Sequence, residues 1–198
     1  MRNTVAKPRA GIAAIILAAG LSKRAGPTNK LLFDIEGRPM IAKVVAQVIE
    51  VGLEPVVVVT GHELEAITEA LDGFDIQHIH NFDYRKGMAS SISRGVEALE
   101  ENIEGAMICL GDMPWVQNRT LKKIVGSFYP EVGREICRPV CRGMRGNPVL
   151  FARRHFEALM RLEGDSGGKS VIEQNSNVVF NVDVDDVGVL RDLDRLST

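Results

Sequence analysis

Three cations crowd one short stretch of this 198-residue chain. Lys23, Arg24 and Lys30 follow the apolar run Ile12–Ala19 and a tight turn at Gly20, with Gly26 and Pro27 between them. Such a stretch suits phosphate. Ala18, Ala19 and Gly20 lack bulk, so their backbone N–H groups can approach an anion closely. Arg24 would then offer a planar fork and Lys30 a point charge. The ordinary alternative is a surface loop with solvated cations. A second chemical candidate is Asp112, at the end of the apolar run Ala106–Leu110 and just before Pro114. A carboxylate there can hold magnesium against a phosphate; an Asp closing a local turn is the dull reading.

One carboxylate holds magnesium poorly. The stretch Asn181-Val-Asp-Val-Asp-Asp186 puts Asp183 and Asp185 on the strand face opposite Val182 and Val184, and Asp192 and Asp194 follow. Any of these four could be its partner, against the alternative of a solvated face and an acidic tail. Cys137 and Cys141 lack a second pair at zinc spacing, and His78 and His80 lack a third ligand. No nucleophile–base constellation is legible. The chemistry on offer is cations and carboxylates arranged around phosphates.

Two familiar phosphate loops do not match. A dinucleotide fold needs Gly-x-Gly-x-x-Gly opening a helix, whereas this loop has glycines at 20 and 26 only. No acid ends the second apolar run to hold a ribose; that run closes on Thr60-Gly61-His62. A Walker loop needs four residues between its glycines and a following Lys-Ser/Thr, but five residues separate Gly20 from Gly26 and Pro27 follows.

The elements that must position these residues alternate. Ile12–Ala18, Pro55–Thr60, Asp75–Ile79 and Ala106–Leu110 read as strands, the first, second and fourth fully buried. Met40–Val51 carries apolar residues at Ile41, Val44, Val45, Val48 and Ile49, one helix face. His62–Leu71, Gly87–Leu99 and Arg119–Phe128 read as further helices. This βαβα rhythm predicts an α/β fold with a mostly parallel sheet between helix layers and right-handed crossovers. The second half is less regular. Glu135–Val140, Pro148–Phe151 and Val178–Val184 read as strands, with the loop Cys141–Asn147 between the first two. Arg153–Leu162 and Ser170–Asn175 read as helices, and Arg191–Leu196 as a last helical turn.

Bulk properties narrow the class. The chain is 45% hydrophobic and 25% charged with a net charge of −2, which leaves no electrostatic footprint for a nucleic acid. Three cysteines suit a reducing compartment, and no apolar run is long enough to span a membrane, so a cytoplasmic protein is expected. Arg2, Lys7 and Arg9 before the first apolar run imitate a secretory signal. A basic tail over 1–10 followed by a buried strand is preferred, because cleavage would delete the glycine loop.

The motif Leu17-Ala-Ala-Gly-x-Ser-x-Arg-x-Gly-x-x-x-Lys-Leu-Leu resembles the signature of the MobA-like nucleotidyltransferases. Within these it is most similar to the molybdenum cofactor cytidylyltransferases, which also tend to carry Asn-Lys-Leu-Leu, as at Asn29–Leu32. Gly37-Arg-Pro-Met40, Gly87-Met-Ala-Ser-Ser-Ile92, Leu110-Gly-Asp-Met-Pro114, Arg145-Gly-Asn-Pro-Val149 and Gly164-Asp-Ser-Gly-Gly-Lys169 follow in register. Asn147 departs from the pattern, since relatives commonly carry His there.

The resemblance implies one nucleotidyltransferase domain over 11–198, of the three-layer, Rossmann-like nucleotide-diphospho-sugar transferase type, after a flexible tail at 1–10. It implies transfer of CMP from CTP to a phosphorylated acceptor such as molybdopterin, with Mg2+ as cofactor and pyrophosphate as the leaving group. Arg24, Lys30 and Asp112 would be catalytic. Leu17, Ala18, Ala19, Gly20, Asn81, Gly87 and Ser91 would join Arg24 and Lys30 around the nucleotide, and Arg145 and Asp165 would hold the acceptor. Asp112 would carry the metal, with Asp185 or Asp192 beside it. Ala19 points to CTP, because guanylyl relatives tend to have glycine there and a methyl group disfavours a larger purine. A molybdoenzyme could receive the product. Rival readings are another small phosphate acceptor, such as a sugar or polyol phosphate, and a non-catalytic factor delivering cofactor to a molybdoenzyme. An oxidoreductase reading is weakened by the missing dinucleotide fingerprint.

Overall fold

The computed structural model describes residues 11–21, 29–165 and 167–193. In chain order, its first half runs β1 (Ile12–Ala18), α1 (Met40–Val51), β2 (Val56–Thr60), α2 (Leu64–Ala70), β3 (Gln77–His80), α3 (Met88–Glu97), β4 (Gly105–Leu110) and α4 (Asn118–Ser127). The second half adds β5 (Ile136–Cys141), β6 (Met144–Arg145), β7 (Val149–Ala152), α5 (Phe156–Met160), α6 (Lys169–Gln174) and β8 (Val179–Asp183). All eight strands form one sheet in the order β3-β2-β1-β4-β7-β5-β6, with β8 beside β5.

The middle of the sheet is buried on both faces, which is why β1 and the four valines of β2 are apolar runs. Ile12, Ala14, Ile16 and Ala18 of β1 enter a core shared with α1 and α4, while Ala13 and Ile15 enter a second core with α3 and α5. Val56 and Val58 of β2 divide from Val57 and Val59 in the same way. The period of two therefore sorts one strand's side chains into two helix layers, giving the expected three-layer α/β fold.

Strand direction sets where a ligand can enter. Pairings β1–β2, β2–β3, β1–β4 and β5–β8 are parallel, whereas β7 runs antiparallel to β4 and β5, and β6 to β5. The chain builds outward from β1 to β2 and β3, then crosses to β4 on the other side of β1. The carboxyl ends of β1 and β4 therefore flank the switch point, where an open α/β sheet leaves a crevice. Leu17 and Leu110 are register partners there, and the Gly111 N–H donates to the Leu17 carbonyl at 3.1 Å.

Three local expectations are corrected. The helix expected over Arg153–Leu162 divides into a 3-10 turn, Arg153–His155, and the short α5. The turn tightens where Arg154 and His155 both reach the Glu135 carboxylate, at 2.6 and 3.0 Å. The loop Cys141–Asn147 contains a two-residue hairpin: Arg142 (φ 52°) and Gly143 (φ 77°) turn the chain so that Cys141 pairs with Met144. The helical turn expected over Arg191–Leu196 lies earlier, at Val187–Leu190. The Asp186 carboxylate accepts the Gly188 N–H at 2.9 Å and starts the turn there. Residues 191–193 continue without helix, and 194–198 lie outside the described residues, as does the tail over 1–10. No helix among the described residues is long and apolar enough to cross a membrane.

Candidate active site

The crevice between β1 and β4 gathers the first group of sequence-selected residues. Leu17 and Ala18 end β1, Ala19 is buried behind the turn, and Gly20 is exposed at its tip. Lys30 sits on a 3-10 turn, Lys30–Leu32, capped by the Asn29 side chain: Leu31 N–H donates to its Oδ1 at 3.1 Å. From there Lys30 Nζ reaches Asp112 Oδ2 at 2.7 Å, with the two side chains 17% and 20% exposed. Residues 82 positions apart thus meet at one point beyond the sheet. Arg24 lies outside the described residues.

Two C-terminal contacts bring acidic residues to the Asp112 loop. Leu193 N–H donates to the Asp112 carbonyl at 3.0 Å, which sets Asp192 next to it. Asp186 Oδ2 accepts the Gln117 N–H at 2.9 Å and the Thr120 hydroxyl at 2.7 Å, which sets Asp185 against the same loop. Asp185 itself is exposed, and its carbonyl accepts from Arg119 at 3.1 Å. Among the described residues no three His, Cys, Asp or Glu side chains gather as a complete metal cage. Asp112 offers one carboxylate, and magnesium or manganese can take few protein ligands and complete their coordination with water and substrate phosphates. The residues fit such a cation.

A cleft of about 430 Å³ opens beside this crevice, beyond Ile108 and Leu110 of β4. Arg145 and Asp165, both selected as acceptor ligands, line it. Asp165 also covers the start of α3: its Oδ1 accepts the Met88 N–H at 3.0 Å, and the Gly164 carbonyl accepts the Ala89 N–H at 3.0 Å. A negative charge at a helix N-terminus is stabilising. Gly87 makes the approach possible. Its φ is 110°, and a Cβ there would lie 2.6 Å from Asp165 Oδ1. Asn81 and Ser91 are likewise brought together but are buried. Asn81 Nδ2 donates to the hydroxyls of Ser90 and Ser91 at 2.8 and 3.0 Å, pinning α3 to the end of β3.

A family model describing the MobA-like NTP transferase domain matches residues 14–178. The chain belongs to this family. It carries an NTP transferase domain by that membership, and its fold agrees with solved structures along nearly its whole length. A nucleotidyl transferase from Methanothermobacter superposes with a TM-score of 0.82 at 22% identity, covering 96% of this chain and 94% of that one. Rv0371c from Mycobacterium tuberculosis H37Rv superposes with a TM-score of 0.79 at 24% identity over 89% of both chains, and its structure is also known in complex with manganese. The bifunctional protein GlmU of Anaeromyxobacter dehalogenans is 32% identical over 130 residues, 61% of this chain. The chain spans only about a quarter of that relative's length (26%).

The family motifs fall at the carboxyl ends of strands and around the cleft, but two residues outside the sequence-selected set are prominent. Arg138, on β5, lines the cleft with Arg145. Asp186, 2% exposed, ties the C-terminal segment to the Asp112 loop. Arg138 was concealed inside the strand read over Glu135–Val140, where no motif marks it. Asp186 was concealed among four neighbouring acids, although Asp186-Val-Gly188 carries the signal of a side chain capping a turn.

Proposed function

We propose that this family member transfers CMP from CTP to a phosphorylated acceptor, with molybdopterin as the preferred acceptor, releasing pyrophosphate. The observation that carries the reading is the Lys30–Asp112 contact of 2.7 Å at the switch point, where a cation and a carboxylate able to hold a metal converge. The acceptor phosphate is itself the anionic nucleophile, so no general base is required. Its oxygen forms the new bond to the α-phosphorus as the bond to the departing pyrophosphate breaks. Rate enhancement then comes from alignment and charge stabilisation.

Asp112 would hold Mg2+, with Asp185 or Asp192 as the second carboxylate; the bound cation supplies charge neutralisation at the α-phosphate. With the cation held by Asp112, Lys30 would be left to place its charge on the leaving pyrophosphate, the role also proposed for Arg24. Ala18, Ala19 and Gly20 present backbone N–H groups to the triphosphate with Leu17 beside them, and the Ala19 methyl narrows the site against a purine. Gly87, with Asn81 and Ser91 beneath it, shapes the nucleoside side, while Arg145 and Asp165 hold the acceptor. Two fold neighbours support the choice of base: one is a 4-diphosphocytidyl-2C-methyl-D-erythritol synthase, the other a CMP:2-keto-3-deoxy-manno-octonic acid synthetase complexed with CTP. A sugar or polyol phosphate is the alternative acceptor.

The reading is tested by presenting each NTP with magnesium and a panel of phosphorylated acceptors and following pyrophosphate. Release should depend on acceptor and be fastest with CTP. Cofactor binding without pyrophosphate release from any NTP would favour the delivery-factor alternative.

A further inference from the structure

The cleft contains two guanidinium groups on one face of a hairpin. Val140 of β5 is the register partner of Arg145 of β6, so Arg138, two residues before Val140, is its diagonal neighbour on the same face. Diagonal neighbours in an antiparallel pair lie about 7–8 Å apart, within reach of two arginine side chains bridging one small anion. Burial and the nearby Arg145 both hold the Arg138 guanidinium below its ordinary value, burial being the larger influence.

Like charges in one cleft need compensation, and the neighbouring acids are committed elsewhere. Asp165 caps α3 through the Met88 N–H, and Glu173 faces Lys169 at 3.8 Å on its own helix. Among the described residues neither Arg138 nor Arg145 forms an ion pair with a carboxylate. Arg138 is nevertheless held in place: its Nε donates to Asn181 Oδ1 at 2.8 Å, across the parallel β5–β8 pairing that aligns the two residues. That bond uses one edge of the guanidinium and leaves the terminal N–H groups for a ligand. Met88, Ile92 and Phe151 form an apolar wall in the same cleft.

We propose that Arg138 and Arg145 form a two-arginine clamp for a phosphate monoester dianion whose organic body lies on the Met88–Ile92–Phe151 wall, and that Arg138 sets specificity for the charge of the acceptor. This rests on the transfer reading for its biological role but not for its binding chemistry. Paired planar forks match a tetrahedral oxyanion, and charge-assisted hydrogen bonds are the strong ones.

Phenyl phosphate, an aromatic monoester, is the probe, titrated calorimetrically into the full chain beside inorganic phosphate and phenol. Phenyl phosphate should bind more tightly than inorganic phosphate, and phenol not measurably. Arg138→Gln and Arg145→Gln should each weaken phenyl phosphate by about tenfold or more, and Arg138→Lys by less. Arg138→Lys and Arg145→Gln keep the question answerable if Arg138→Gln does not fold. Equal affinity in unaltered protein and Arg138→Gln overturns the clamp; so does a loss caused by Lys30→Gln alone, which would place the probe in the triphosphate cradle. Pyrophosphate release on the same preparations separates the two ideas. Arg138-dependent binding without release from any NTP retires the transfer reading and keeps the clamp. Release with Arg138-independent binding does the reverse.

Discussion

Replacing Asp186 with alanine should cost more stability than any other single acid-to-alanine change in the C-terminal segment. The side chain is 2% exposed and accepts three bonds, from the Gln117 N–H at 2.9 Å, the Thr120 hydroxyl at 2.7 Å and the Gly188 N–H at 2.9 Å. Each buried donor left without a partner costs about 1–3 kcal/mol. The Thr120 hydroxyl can rotate to another acceptor, and water can enter part of the vacated space, so the low end of the sum applies, about 3 kcal/mol. For a chain of this size that is a fall in Tm of about 6–12 °C.

The local geometry gives little room for relaxation. A Cβ on Gly188 would lie 2.1 Å from the Trp115 carbonyl, so the turn is already pressed against the Asp112–Gln117 loop. Beyond the turn, the Val189 carbonyl accepts the Asn147 N–H at 2.9 Å, and Leu193 N–H holds the Asp112 carbonyl. Turnover should therefore fall in Asp186→Ala even at temperatures where the variant stays folded. Differential scanning calorimetry with activity at low temperature reads both. A Tm within about 1 °C of the unaltered protein, equivalent to well under 1 kcal/mol, would refute the reasoning.

Asp112→Asn should retain CTP binding within a few-fold but lose turnover by about a hundredfold or more, since the metal-side charge is removed while shape is kept; nucleotide titration beside steady-state kinetics checks this, and normal turnover would remove Asp112 from the metal. Burial holds the His155 imidazole below its ordinary value against the opposing pull of Glu135. As pH falls below about 6.5 the unfolded chain takes up this proton before the folded one, so stability should decline toward acid. His155→Gln should flatten that decline in melting curves between about pH 7.5 and 5.5, and equal slopes would count against it. The Cys109 thiol is buried and its pKa is pushed up to about 12 by that burial, so iodoacetamide should modify it only after unfolding.

The first half of the fold was largely legible because its elements are locally consistent. Ile12–Ala18 and Met40–Val51 have the bounds that their hydrophobic periods predict. The second half depends on distant partners. Arg153–His155 is a 3-10 turn because Glu135, far back in sequence, takes both Arg154 and His155, and no periodicity encodes that contact. The C-terminal turn was misplaced because its start is set by one capping carboxylate rather than by an apolar face. At the site, Asp112 and Lys30 were legible from their motifs, and the sheet brings them together. Arg138 was not, because its meaning comes from the strand beside it: only the β5–β6 register shows that its neighbour is another arginine.

The central claim is tested most directly by following a label from the α-phosphate of CTP. With magnesium and molybdopterin, α-labelled CTP should transfer its label to the acceptor while γ-labelled CTP yields only labelled pyrophosphate, and Asp112→Asn should slow both by about a hundredfold or more. Label that stays in CTP with every phosphorylated acceptor tried, or that appears only as free CMP, would contradict the account.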